Sequence, residues 1–191
     1  MGKLVVTEFV TLDGVMEDPG GAEKSRYGGW SLRFFSDEAA KFKFDELSAS
    51  DAQLLGRKTY EGFAAAWPSM QDEFADRMNG MPKYVVSTTL QKAEWNNSQI
   101  IRDNVVEQIT RLKRQPGRDL LVAGSRTLVQ TLMQHGLVDE FRLLVHPIVL
   151  GDGLRLFGDT GGAKTMNLVE CKPFSSGVVA LTYAAGAGSA E

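Results

Sequence analysis

The spacing of apolar residues changes repeatedly along this chain, from alternation to three- and four-residue steps and back. Lys3 to Thr11 (KLVVTEFVT) is rich in β-branched residues and predicts a strand ending at Leu12-Asp13-Gly14. Gly14 to Trp30 carries Gly, Pro and acidic residues without a period, and so long an irregular stretch points to a functional loop such as a lid. Ser36 is placed to cap a helix with Ala40, Phe44 and Leu47 on one face. Ala52 to Gly56 (AQLLG) predicts a short strand that runs directly into a helix opened by Arg57-Lys58-Thr59-Tyr60 and closed before Pro68. Lys83 to Ser87 (KYVVS) is the next strand. Asn104 with Glu107 has capping-box spacing and precedes an apolar stripe at Val105, Ile109 and Leu112 that stops at Pro116-Gly117.

Asp119 to Ala123 (DLLVA) is almost wholly apolar, as a strand covered on both faces must be. Gly124-Ser125 then opens a helix with Leu128, Val129, Leu132 and Met133 facing the core, ended by Gly136. The remainder of the chain is β-like, with strands predicted in Asp139 to Leu150, Asn167 to Pro173 and Val178 to Tyr183, and the final small residues read as a frayed tail. Strand–helix alternation leading into a β hairpin implies an α/β domain whose mixed sheet is covered by helices on both faces. Neither a repeat nor a linker interrupts it. A single domain over residues 1–185 with a flexible 186–191 tail is therefore expected.

Composition narrows the function. Twenty-one Lys plus Arg against 24 Asp plus Glu leave a net charge of −3 over 191 residues, which argues against a nucleic-acid partner. No apolar run is suited to secretion or membrane insertion, so a cytoplasmic protein without a membrane partner is expected. No CxxC or HExxH occurs, and His135, His146 and Cys171 are far apart, so no metal site is expected. GxGxxG, GxxxxGK[ST] and GxSxG are all missing as well.

Ligands of such sheets gather at the carboxyl ends of strands. Three strand ends are chemically alike in offering hydroxyls, small residues or cations, namely Gly56-Arg57-Lys58-Thr59, Ser87-Thr88-Thr89 and Gly124-Ser125-Arg126-Thr127. Two of them open helices, where free N–H groups and the helix dipole favour an anion. Arg57 and Lys58 oppose that dipole and suit bound phosphate.

The ordered segments LDG (Leu12 to Gly14), LLGRKTYEGF (Leu54 to Phe63), VVSTTL (Val85 to Leu90), VAGSRTLVQTLMQHGLVDE (Val122 to Glu140) and LVHPIVLGDGLRLF (Leu144 to Phe157) together resemble the dihydrofolate-reductase-like superfamily. Within it, the chain is most similar to the C-terminal reductase domain of the bifunctional riboflavin-biosynthesis deaminase-reductase. The resemblance implies a three-layer α/β/α fold with a central mixed, mostly parallel sheet and a C-terminal antiparallel hairpin. It also implies NADPH as cofactor, with Gly56, Arg57, Lys58 and Thr59 at its phosphates, Ser87 and Thr88 on the adenosine side, and Gly124, Ser125 and Thr127 at the pyrophosphate and nicotinamide. On the substrate side it points to Asp13, the first polar candidate for catalysis, whose plainer reading is a turn residue before Gly14. Trp30, Phe34, Phe44 and Tyr60 would form a flat wall for a ring, although the helical spacing of Phe44 also suits ordinary core.

Two departures matter. Ala40 stands where dihydrofolate reductases carry an acid, which disfavours dihydrofolate reduction, and no zinc-deaminase signature is present. The expectation is an NADPH-dependent reductase passing hydride to a C=N or C=O group of a small heterocyclic or ribosylated substrate, similar to 5-amino-6-(5-phosphoribosylamino)uracil reductase. The proton would come from water or from Asp13. The alternative is a non-catalytic nucleotide-binding or sensor module. The resemblance also implies a homodimer, for which the apolar run Phe141 to Leu150 is a candidate interface, its plainer reading being an interior strand.

Overall fold

Alternation along the first strand already sorts the core into two layers. The computed structural model describes residues 2–158 and 162–189. Strand β1 is Leu4–Thr11, followed by α1 (Asp37–Ser48), β2 (Ser50–Gly56), α2 (Arg57–Ala66), α3 (Glu73–Gly80), β3 (Lys83–Val86) and β4 (Ser98–Ile101). Then come α4 (Val105–Arg114), β5 (Asp119–Ala123), α5 (Arg126–Gln134), β6 (Glu140–His146), β7 (Lys164–Pro173) and β8 (Val179–Ser189). Val5 packs with Leu47 of α1, Tyr60 of α2 and Met78 of α3. Leu4, Val6 and Val10 pack with Ile109 of α4 and with Leu128, Val129, Leu132 and Met133 of α5. The eight strands form one sheet in the order β4-β3-β2-β5-β1-β6-β8-β7. The six from β4 to β6 are parallel, and β8 and β7 close the sheet antiparallel. This is the expected three-layer architecture.

Several local expectations change. Ser36 does cap α1, accepting from the Ala39 N–H at 3.2 Å. The helix, however, turns Ala39 and Phe42 to a cluster with Leu144, Phe174 and Val178, rather than Ala40 and Phe44. Beside them, Lys43 donates to the Thr7 hydroxyl and to Glu46, whose carboxylate lies 3.8 Å from Arg142. Charged groups inside that face hide it from a pattern search. Asn104 adopts a left-handed conformation (φ 43°) and makes no side-chain cap, so the capping box does not form. Helix α3 and strand β4 leave no clear mark on the apolar pattern: each is short, and α3 buries only Ala75 and Met78.

The Gly14 to Trp30 segment is pinned down rather than built as a loose lid. The buried Asp18 carboxylate accepts from the N–H groups of Glu23 and Ser25 at 3.0 Å each, while its carbonyl accepts from Gly21 and Gly29. The Trp30 indole N–H donates to the Glu17 carbonyl at 2.8 Å. A Cβ on Gly28 would stand 2.2 Å from Asp18 Oδ2, so only glycine fits there.

Strand β6 lies between β1 and β8, so Phe141 to His146 is interior and cannot serve as a free interface. Beyond β8 the sheet ends at the edge strand β7, where Leu168 and Val169 are exposed. Strand β8 continues to Ser189, extending the ladder past residue 185 where the sequence predicts a tail, and residues 190 and 191 lie outside the described residues. The first residues of β1 and the last of β8 both lie at the amino-terminal edge of the parallel strands, since Val5 and Ala184 each pair with Glu140. Among the described residues, no helix is long and apolar enough to cross a membrane.

One buried cation sits in the α1–α3 layer. Lys83 is fully enclosed and donates to the carbonyls of Asn79, Met81 and Asn96 at 2.8–3.0 Å, with its ammonium 4.2 Å from the Trp95 ring centre. Desolvation brings its pKa down to about 8.

Candidate functional site at the carboxyl edge of the sheet

From β1 the chain crosses to β2 on one side, and from β5 it crosses to β6 on the other. Such a reversal leaves a crevice outside the carboxyl ends of the two neighbouring strands. Pairing between β1 and β5 ends at Thr7 and Ala123, whereas β1 runs on beside β6 to Thr11. The overhanging half of β1 forms one wall of the crevice. Gly124 and Ser125 form the other.

The wall at Gly124 is held by a latch between two helix starts. Ser125 Oγ accepts from the Gly56 N–H at 2.8 Å, and the Ser125 N–H donates to Thr59 Oγ1 at 2.9 Å. Gly124 (φ 61°) and Ser125 (φ 61°) are both left-handed, and a Cβ on Gly124 would meet Thr59 Oγ1 at 2.9 Å. Four of the candidate cofactor residues, Gly56, Thr59, Gly124 and Ser125, are thereby brought together. Their own groups are already engaged, because the Gly124 N–H donates to Glu8 Oε2 at 3.0 Å. Both amides of this turn thus donate within the protein, Gly124 to Glu8 and Ser125 to Thr59. The groups left facing outward are the first turns of α2 and α5, neither of which has a side-chain cap or an acidic residue.

Arg57, Lys58, Thr88 and Thr127 are exposed around this edge. Arg57 reaches Glu61 at 3.3 Å across a solvated helix face, a contact too exposed to fix it in place. Ser87 is buried, and its hydroxyl accepts from the N–H groups of Thr89 and Leu90, closing the turn after β3.

The substrate-side expectations need more correction. Asp13 accepts from the Thr11 hydroxyl at 2.6 Å and from the N–H groups of Gly151 (2.9 Å) and Leu150 (3.3 Å), with Arg155 3.7 Å away. The Thr11 hydroxyl, helped by those two amides, lowers its pKa from the ordinary carboxylate value, so at neutral pH Asp13 carries no proton to give. It anchors the turn at Leu150-Gly151 instead of acting as an acid. Tyr60 is core, 3% exposed, its hydroxyl accepting from the Trp95 N–H. Trp30 is 1% exposed beneath its own loop. Phe44 is half-buried and belongs to none of the three core clusters. Of the proposed wall, Phe34 and Phe44 are each partly exposed, and the Phe34 ring lies 5.8 Å from that of His146.

Two residues near the crevice escape a reading of the sequence. His146 is buried among Phe9, Trp30 and Phe34, and its Nδ1 donates to the Leu144 carbonyl at 2.9 Å. Burial lowers its pKa below the ordinary 6.5, against the pull of the Leu144 and Val10 backbone contacts. The unfolded chain thus takes up a proton that the folded ring resists, so stability should fall as pH drops through 6.5. Urea midpoints at pH 7.5 and 5.5 should show that loss in the wild type and a smaller one in His146→Phe. An equal loss in both would assign it to the carboxylates. The second residue is Glu8, whose burial pushes its carboxyl well above the usual range.

The sequence profile of the RibD C-terminal domain matches residues 2–180. The chain belongs to the RibD C-terminal domain family. The uncharacterized protein YyaP of Bacillus subtilis is 33% identical over 186 residues, covering 95% of this chain and 94% of that protein. A Thermotoga maritima diaminohydroxyphosphoribosylaminopyrimidine deaminase/5-amino-6-(5-phosphoribosylamino)uracil reductase superposes with a TM-score of 0.66 at 14% identity, over 97% of this chain and 57% of that one. Dihydrofolate reductase from Enterococcus faecalis, solved with NADP(H), superposes with a TM-score of 0.62 at 17% identity, over 97% of this chain and 98% of that one. At those identities the two likenesses are of fold. They place this RibD C-terminal domain within the dihydrofolate-reductase-like architecture.

Proposed function

We propose that this RibD C-terminal domain is an NADPH-dependent reductase acting on a C=N or C=O group of a small heterocyclic or ribosylated substrate, as a 5-amino-6-(5-phosphoribosylamino)uracil reductase does. One observation carries the reading: the crevice between β1 and β5 is flanked by the two uncapped helix starts of α2 and α5, with Arg57 and Lys58 at the first. Paired positive helix ends and two exposed cations suit a dinucleotide's linked phosphates. Gly124, whose Cβ position is taken up by Thr59, lets the start of α2 pack directly against the turn that opens α5.

When bound, NADPH would supply a hydride, and the protein's part is to bind, orient and exclude water. Arg57, Lys58 and the first-turn amides of α2 and α5 would hold the phosphates, Thr127 would border the second helix start, and Ser87 and Thr88 would border the adenosine side. The latch among Gly56, Thr59 and Ser125 would keep the two helix starts at a fixed separation, so the cofactor meets a preformed cradle.

Calorimetric titration with NADPH and NADH tests the reading directly. Saturable binding with a preference for NADPH is expected, and no binding of either nucleotide would overturn it. If Arg57 reads the 2′-phosphate, Arg57→Ala should weaken NADPH by roughly 1.5–3 kcal/mol, the range for hydrogen bonds to charged groups, and leave NADH unchanged. Equal losses for both cofactors would remove Arg57 from that role.

A further inference from the structure

Resting on the reductase reading, we infer that Glu8 supplies the proton that the substrate's nitrogen or oxygen takes up as the adjoining carbon gains hydride. Glu8 lies one residue past the last β1–β5 rung, at the point where the crevice opens. The residue is 5% exposed. Its Oε2 accepts from the Gly124 N–H, while Oε1, also buried, has no hydrogen-bond partner among the described residues. A buried carboxyl oxygen without a partner is costly unless it carries a proton or awaits a ligand. Here it stands at the switch point where ligands of such sheets collect.

The surroundings favour the neutral acid. Burial is the dominant effect and Glu46 of α1 adds to it, against the Gly124 N–H and the more distant charge of Lys43. Lys43 is itself engaged by Thr7 and Glu46. On β6 the register partner of Glu8 is the apolar Leu143, and Arg142 is committed to Glu140, Asp119 and Glu46. Among the described residues, no cation is therefore bonded to Glu8 to hold it ionised. In the transfer, the carbon of the C=N or C=O bond receives the hydride, the π pair moves onto nitrogen or oxygen, and that atom takes the Glu8 proton. The carboxylate left behind keeps the Gly124 N–H and is reprotonated from solvent. This supplies the acid that Ala40 and the ionised Asp13 do not.

Glu8→Gln keeps the shape and an acceptor for Gly124 while removing the proton, and Glu8→Asp restores an acid one methylene shorter. Infrared difference spectra of wild type minus Glu8→Gln should show a protonated carboxyl at neutral pH. NADPH affinity by calorimetry should be the same in both. NADPH oxidation with 5-amino-6-(5-phosphoribosylamino)uracil, pterin, quinone and aldehyde probes should be slowed about 100-fold or more in Glu8→Gln, as loss of a general acid predicts, and partly recovered in Glu8→Asp. An ionised Glu8 at neutral pH, or a Glu8→Gln enzyme oxidising NADPH at the wild-type rate, overturns the inference and leaves the reductase reading standing. Failure of the wild type to bind NADPH overturns both.

Discussion

Gly124→Ala should lose both stability and cofactor binding. Its φ of 61° lies in the left-handed region, which costs an alanine roughly 1–2 kcal/mol. The added Cβ would also stand 2.9 Å from Thr59 Oγ1 and 3.0 Å from Cγ2, so Thr59 must move and release the Ser125 N–H. The lost hydrogen bond adds about 1 kcal/mol, and the donor left part-buried without its partner brings the expected total to about 3 kcal/mol. For a domain of this size that is a fall in Tm of roughly 6–12 °C. NADPH affinity should fall at least about tenfold, because the two helix starts would no longer hold one spacing. Thr59→Ser together with Gly124→Ala removes the Cγ2 clash and should recover part of the loss. If scanning calorimetry finds Gly124→Ala as stable as the wild type, the latch is not what fixes this turn.

Lys83→Ala should be the most damaging single change away from the crevice. It removes the donor from three carbonyls, takes away the cation over Trp95 and leaves a cavity among buried residues. Large-to-small changes in cores cost about 2–5 kcal/mol, and abandoned acceptors add to that. A loss of about 4 kcal/mol is expected on those magnitudes. Lys83→Met, which restores the volume but not the donors, should lose less, and the difference between the two separates packing from hydrogen bonding. The pH dependence carries its own sign. With a folded pKa of about 8 against 10.5 for a free lysine, the folded chain releases this proton before the unfolded chain does. Between pH 8 and 10.5 the Lys83 contribution therefore rises with pH, and a urea series should show that rise vanish in Lys83→Met.

The strand–helix alternation and the three polar strand ends could be read from the chain because each arises from local chemistry: period, caps, glycines and cations next to one another. The errors share a different cause. Glu8 reads as one polar position in an alternating strand, and only the neighbouring end of β5 leaves its Oε1 buried and unpartnered among the described residues. Asp13 reads as a candidate acid, and only contacts with Leu150 and Gly151, far along the chain, reveal an ionised anchor. Tyr60 and Trp30 are aromatic residues of the kind that line ligand pockets, yet Tyr60 is turned inward by its bond to Trp95 and Trp30 is held under its loop by Glu17. Contacts made across long stretches of sequence settled each of these roles.

The positions of β1 and β8 have a practical consequence. Strand β1 begins and β8 ends at the same edge of the sheet, while the crevice opens at the other. A solid support, a fluorophore or a fused carrier joined near Gly2 or at Ser189 would therefore stand at the edge of the sheet opposite the crevice. The protein could be tethered for single-molecule or surface-based titration with its entrance facing the solution. Gly2 itself must stay, because a Cβ there would fall 1.7 Å from the Arg118 carbonyl oxygen.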